Sequence, residues 1–437
     1  MSQGMIALIG LATIVCSSAL ALSKKTHLAV PFIIVPIIGG MLCGFNFYQL
    51  MDFAHAGVNS CFNSILICVC AVLYFAILSD TGFFDIMVNR LVKITKGNVY
   101  VVLVITVLVG FIGHLDGAYN TTYLIAIPAM APLYKALNID RRLLVLLVSL
   151  AAGPMTGMSW ANPAKQSMYD PDLNPVVMTQ QLLPIIFIML VLAVLYALWC
   201  GKRIYAKQGA ELEALRNKYV VEEADKPIDW SNKPLARPQN FWMNMVLFIG
   251  SLLCFVFVTK VKTYLLFMIF SAIAWVLNYH DAKDQNAIFR KNANTMLAPG
   301  FLFMGIGVMV GILNNTGMVT AMVNCMLSVV PESMARYTHI LWNIISLPLM
   351  VVIPYQAFTS ITPVLMGIGQ ACGLTSYQIL NPGMIGYINP CSPLIAANNL
   401  AAELAEVDIM ELCKYSFLTC FVFNTIVKLL CLALGIA

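Results

Sequence analysis

The sequence is dominated by long apolar runs, at 5–22, 28–45, 61–79, 181–200, 242–258, 263–279, 296–313 and 413–435. A helix needs about 20 mostly apolar residues to cross a bilayer, with a working range of about 17–25. The chain has 437 residues, of which 60% are hydrophobic and only 10% charged. Soluble domains carry about 45–50% apolar and about 25% charged residues, so a water-soluble globule of this composition would expose large apolar patches. The expected fold class is therefore an all-α polytopic membrane protein. Residues 5–22 resemble the apolar core of a signal peptide, but Lys24 and Lys25 follow that run instead of preceding it and no cleavage site is apparent, so it is read as a first span. The 13 cysteines fall mostly singly inside apolar runs, without paired Cys-x-x-Cys spacing, and read as small core residues. The net charge of +5 does not point to nucleic acid, because the basic residues sit between the spans.

Four stretches depart from simple spans. Residues 99–136 and 335–371 are each two apolar arms around a polar centre, the pattern of a re-entrant hairpin. Residues 142–170 and 375–405 are broken midway, around Pro163 and around Asn389-Pro390-Cys391-Ser392-Pro393. The pattern recurs at a fixed offset of 235: from 77 to 89, 7 of 13 residues are identical to those from 312 to 324. Two duplicated halves are expected: a first repeat at 1–200, a linker at 201–241 and a second repeat at 242–437, each with five spans and one hairpin. Cytoplasmic loops collect Lys and Arg. Placing Lys24 and Lys25 inside puts 20 of the 25 basic residues in the cytoplasm. Corresponding loops of the two halves then face opposite sides, so the repeats have inverted topology.

In inverted-repeat transporters, broken helices and hairpin tips meet near the midplane and bind ions through their free backbone groups. Asp116, in the tip of the first hairpin, is a carboxylate at membrane depth and hence a functional candidate by default. It is read as a coupling-ion site for a proton or cation, the alternative being a local helix cap. His114, two residues earlier, either shares a proton with it, as a coupling-ion residue, or is a hydrogen-bonded structural histidine. The remaining polar residues of the breaks, Asn120, Thr121, Thr122, Ser159, Asn162, Thr359, Ser360, Asn389 and Ser392, are the candidate substrate-binding set. Some of these hydroxyls serve equally well as helix caps. Lys165 either neutralises an anionic substrate or reaches the outer interface.

Ala76-Ile77 through Lys96, Leu115-Asp116-Gly117, Thr121-Thr122-Tyr123-Leu124-Ile125, Met130-Ala131-Pro132-Leu133-Tyr134 and Ser392-Pro393-Leu394-Ile395 resemble the citrate–metal:proton symporter family (CitMHS) of the ion-transporter superfamily. The resemblance spans nearly the whole chain. It implies a multi-pass secondary transporter of the bacterial inner membrane, commonly a homodimer, with an elevator-type transport domain. Its implied substrates are citrate and similar small organic anions, often as divalent-metal complexes, carried with protons.

The sequence departs from that family in three places. Ala118 and Tyr119 stand where a second Asp is typical, the Trp-Gly-Gly-Pro break reads Trp160-Ala161-Asn162-Pro163, and Gln356 replaces an Asp of the second hairpin. Fewer carboxylates means fewer of the hard oxygen ligands that magnesium or calcium prefers. A di- or tricarboxylate carrier is thus expected, with citrate the first candidate, no resident cofactor or protein-held metal, and weakened dependence on a divalent cation carried with the substrate. Sodium coupling with another organic anion is the alternative. A membrane-embedded enzyme using His114 and Asp116 is the rival of a different class, and it lacks a convincing nucleophile. A primary pump is excluded, since there is no GxxxxGK[ST] motif.

Overall fold

The computed structural model describes residues 1–23, 25–222, 230–231, 233–329, 331–351 and 360–437, and their regular structure is helical throughout. The first half runs α1 (Gln3–Leu22), α2 (Val30–Leu42), α3 (Phe47–Asp80), α4 (Phe83–Ile94), α5 (Val99–Gly113), α6 (Tyr119–Ala136), α7 (Arg141–Met155), α8 (Asn162–Gln166) and α9 (Pro175–Glu222). The second runs α10 (Phe241–Phe257), α11 (Thr263–Asn278), α12 (Ala282–Asn315), α13 (Met318–Val329), α14 (Glu332–Ala335), α15 (Thr338–Met350), α16 (Thr362–Ala371), α17 (Ser376–Leu380), α18 (Ala396–Leu404) and α19 (Ile409–Ala433). Among the described residues, six helices are long and apolar enough to cross a membrane.

Helix bounds follow the sequence offset closely. Phe47 and Ala282, which open α3 and α12, differ by 235, as do their last residues Asp80 and Asn315; α4 and α13 obey the same shift at both ends. The apolar run at 61–79 is only the second half of α3, which starts at Phe47 because Asn46 and Gln49 form a reciprocal capping box there. Residues 47–60 carry Gln49, Asp52, His55 and Asn59, so an apolar window overlooks them although they are helical. At 34 residues, α3 is roughly 51 Å long, well over a hydrocarbon core of about 30 Å. The run at 28–45 becomes a helix of only 13 residues, closed by Gly44 at φ +93°, where a side chain would be strained.

The long helices α3 and α12 pack backbone to backbone. A Cβ on Gly57 would lie 2.1 Å from the carbonyl oxygen of Gly307, and one on Gly311 would lie 2.2 Å from that of Phe53. Gly307 and Gly311 form the small-xxx-small spacing that lets membrane helices approach this closely. Gly57→Leu should therefore destabilise the protein by at least the ~1–3 kcal/mol typical of overpacking. Fluorescence-detected size exclusion in detergent should show loss of the monodisperse peak, whereas Gly4→Leu, in open space, should leave it intact.

The expected linker is partly helical, since α9 continues to Glu222. Its far end straps the bundle. The Arg237 N–H donates to the Thr81 carbonyl at 2.9 Å, its guanidinium pairs with Asp284 at 2.9 Å, and Lys233 pairs with Asp85 at 2.7 Å.

Candidate functional site

Both broken runs and the tip of the first hairpin converge on one cavity of about 450 Å³. Gly117 and Tyr119 line it from the α5–α6 turn, and Thr156, Asn162 and Lys165 from the break after α7. Gly386, Tyr387, Ile388, Asn389 and Ile395 line it from the break before α18, while Asn343, Asn424 and Lys428 come from α15 and α19. The turn forms because Gly117 takes φ +73° and the Asp116 carboxylate accepts the Ala118 N–H at 2.9 Å, which aims the start of α6 at the cavity. The two breaks are tied to each other: the Asn162 amide donates to the Met384 carbonyl at 2.8 Å, and the Gly386 N–H donates to the Thr156 hydroxyl at 3.3 Å.

The most informative side chain is Lys428. It is 2% exposed, five residues before the end of the apolar helix α19. Its ammonium donates to the Ile385 carbonyl at 2.8 Å and to Asn424 Oδ1 at 2.9 Å. Both acceptors are neutral, and an ammonium has a third donor. The hydroxyl of Tyr387, which lines the same cavity, is buried without a hydrogen-bond partner among the described residues. Leaving such a group unpaired costs about 1–3 kcal/mol. The described lining contains two lysines, Lys165 and Lys428, and no Asp or Glu. Donors thus dominate the cavity, which is the equipment for an oxyanion.

Of the substrate-binding candidates, Asn162 and Asn389 line this cavity. The other described candidates are not part of that lining. Asn120 is exposed in the first turn of α6. Thr122 is fully buried: its hydroxyl donates to the Ala118 carbonyl at 2.9 Å and meets His114 Nδ1 at 2.7 Å. The Ser159 hydroxyl donates to the Phe255 carbonyl at 3.0 Å, Ser360 meets Ser18 at 3.4 Å, and the Ser392 hydroxyl accepts the Leu394 N–H at 3.3 Å. Thr359, Gln356 and the tip of the second hairpin lie outside the described residues.

Asp116 and Thr121 face away from the 450 Å³ cavity, into a second one of about 150 Å³ on the other side of the hairpin tip. Ser79, Asp80, Lys291, Asn292 and Thr295 complete its polar lining. Asp80, its side chain 12% exposed, is ion-paired with Lys291. His114 does not join Asp116; its ring packs against Tyr119 at 4.3 Å between centroids and its Nε2 has no partner among the described residues. A His–Asp catalytic pair is therefore not assembled among the described contacts.

Sequence reasoning missed Lys428 and Tyr387. Lys428 carried the clearer signal, a lone ammonium fourteen residues beyond Lys414 in an otherwise uncharged run, and an intramembrane charge is a functional candidate in itself. Averaging over the run concealed it.

A family model for citrate transporters (CitMHS) matches residues 1–384. The "Mg(2+)/citrate complex secondary transporter" of Bacillus subtilis (strain 168) is 28% identical over 421 residues, spanning 94% of each chain. A "Citrate transporter" of the same organism is 27% identical, over 94% of this chain and 95% of that one. Among solved structures, the YdaH transporter of Alcanivorax borkumensis, described as having an unusual topology, superposes with a TM-score of 0.58 at 14% identity, over 94% of this chain and 99% of that one. That likeness is one of fold.

Proposed function

The chain belongs to the CitMHS family of citrate transporters, and on that premise we propose that it is a cation-coupled secondary carrier of citrate or a related di- or tricarboxylate. It is a multi-pass cell-membrane protein of a transporter family, and its relatives are carriers, not enzymes. The observation that carries the substrate reading is the buried ammonium of Lys428, held by two neutral oxygens at the edge of a cavity rich in donors. A substrate carboxylate supplies the missing counter-ion and accepts from Tyr119 and Tyr387. The first-turn N–H groups of α6 and α18, which begin at the cavity, add partial positive charge.

Asp116 is the coupling residue in this reading, with a proton as the leading ion and sodium as the alternative. It lies on the opposite side of the hairpin tip from the anion cavity, so occupancy of the two sides is coupled through the α5–α6 turn. None of the described lining residues of the anion cavity comes from α1–α3 or α10–α12. This supports an elevator, in which those helices form a scaffold, commonly dimeric, and the rest moves with the substrate. The recurrence of helix bounds at an offset of 235 supports two inverted repeats, 1–200 and 242–437, joined by the cytoplasmic segment 201–241.

Counterflow in proteoliposomes tests the substrate reading. Labelled citrate should enter vesicles preloaded with unlabelled citrate and saturate with concentration; a flux that neither saturates nor shows counterflow would contradict a carrier. For topology, a cysteine introduced at position 220 should resist impermeant maleimide in sealed cells while one introduced at the C-terminus reacts. External labelling at 220 would overturn this orientation.

A further inference from the structure

We propose that the cavity takes its carboxylate as the free anion and not as a divalent-metal complex. This deepens the substrate reading above and rests on it. Lys165 and Lys428 both line the site, and Lys428 is 2% exposed with only neutral acceptors. Lys428 is cut off from bulk water and Lys165 is partly buried; an uncompensated ion retains a desolvation penalty to the extent that it is buried, so the pair favours a ligand that brings more than one negative charge. The free trianion of citrate, or a dianionic dicarboxylate, meets that demand. A bound divalent ion cancels two of citrate's three charges and leaves the lysines undercompensated.

The lining also offers little to the metal itself. Magnesium and calcium are held mainly by carboxylate and carbonyl oxygens. The described lining has no Asp or Glu, and residues 352–359, which are not described, contain none in their sequence. Asp116 and Asp80 belong to the separate cavity across the hairpin tip. Among the described residues, no group of three His, Cys, Asp or Glu side chains is placed to hold a metal ion. Meanwhile Tyr119, Tyr387 and Lys428 are donors, and they compete with a metal for the same carboxylate oxygens.

The test is uptake of labelled citrate by the full chain in proteoliposomes at one total citrate concentration, with EDTA or with a stepwise excess of magnesium or calcium. The rate should follow free citrate, falling at least tenfold when the metal has complexed nearly all of it, and labelled calcium should not enter with citrate. A rate that rises with the metal–citrate complex, with calcium entering alongside, would overturn the inference and leave the carrier reading standing. Failure of uptake in every arm, despite vesicles shown to contain folded protein, would refute the substrate class and this inference with it. Isothermal titration of purified protein supplies the second readout: free citrate should bind at least tenfold more tightly with EDTA than with saturating magnesium.

Discussion

Lys428→Gln is expected to weaken citrate binding by a factor on the order of 30 to 3,000 and to bring uptake close to background. Truncating one partner of a buried, hydrogen-bonded charge pair costs about 2–5 kcal/mol, which converts to that range at about 1.4 kcal/mol per tenfold. The reason is local. Lys428 is held by Ile385 and Asn424 so that its remaining donor is free for the substrate, and glutamine has no charge to give. Removing a buried charge that lacks a carboxylate partner also removes its desolvation cost, so the ligand-free variant should melt no lower than the parent. Loss of binding with unchanged melting separates a substrate role from a structural one. Equal affinities in parent and variant would rule the role out.

Asp116→Asn should separate driving force from translocation. If the Asp116 carboxyl carries the coupled cation, the variant should accumulate no citrate against its gradient under an imposed pH or sodium gradient, while citrate–citrate exchange stays within a few-fold of the parent. Asparagine still accepts the Ala118 N–H that shapes the hairpin turn, so the neighbouring anion cavity should survive. Running the two gradients separately identifies the ion. Accumulation equal to the parent under both would move the coupling site elsewhere, with Asp80 and Lys291 the next residues to examine.

The architecture was legible where it depended on periodicity and repetition. The offset of 235 between Ile77 and Ile312 recurs in the bounds of α3 and α12 and of α4 and α13. The breaks were also legible, because Gly and Pro interrupt helices in ways that apolar runs do not hide. Which hydroxyls face the substrate was not. Thr122 and Ser159 look in sequence like binding groups, yet each donates to a carbonyl nearby, and Ser392 caps a turn. A short polar side chain in a break has backbone groups within reach from several directions, and only the tertiary path decides among them. Lys428 failed to register for the opposite reason: one charge among apolar neighbours barely alters a windowed average, although its rarity there is the stronger signal. Asn162 and Asn389 were found because both sit beside a proline in a break, where the backbone turns toward the cavity.

That citrate binds between the two breaks against Lys428 is open to direct observation by electron cryomicroscopy of the citrate-loaded carrier. A citrate carboxylate oxygen should lie within about 2.7–3.2 Å of Lys428 Nζ, with the Tyr387 hydroxyl and the Asn389 amide also in contact. Citrate found instead in the cavity of Asp80, Asp116 and Lys291, with Lys428 still bonded only to Ile385 and Asn424, would contradict it.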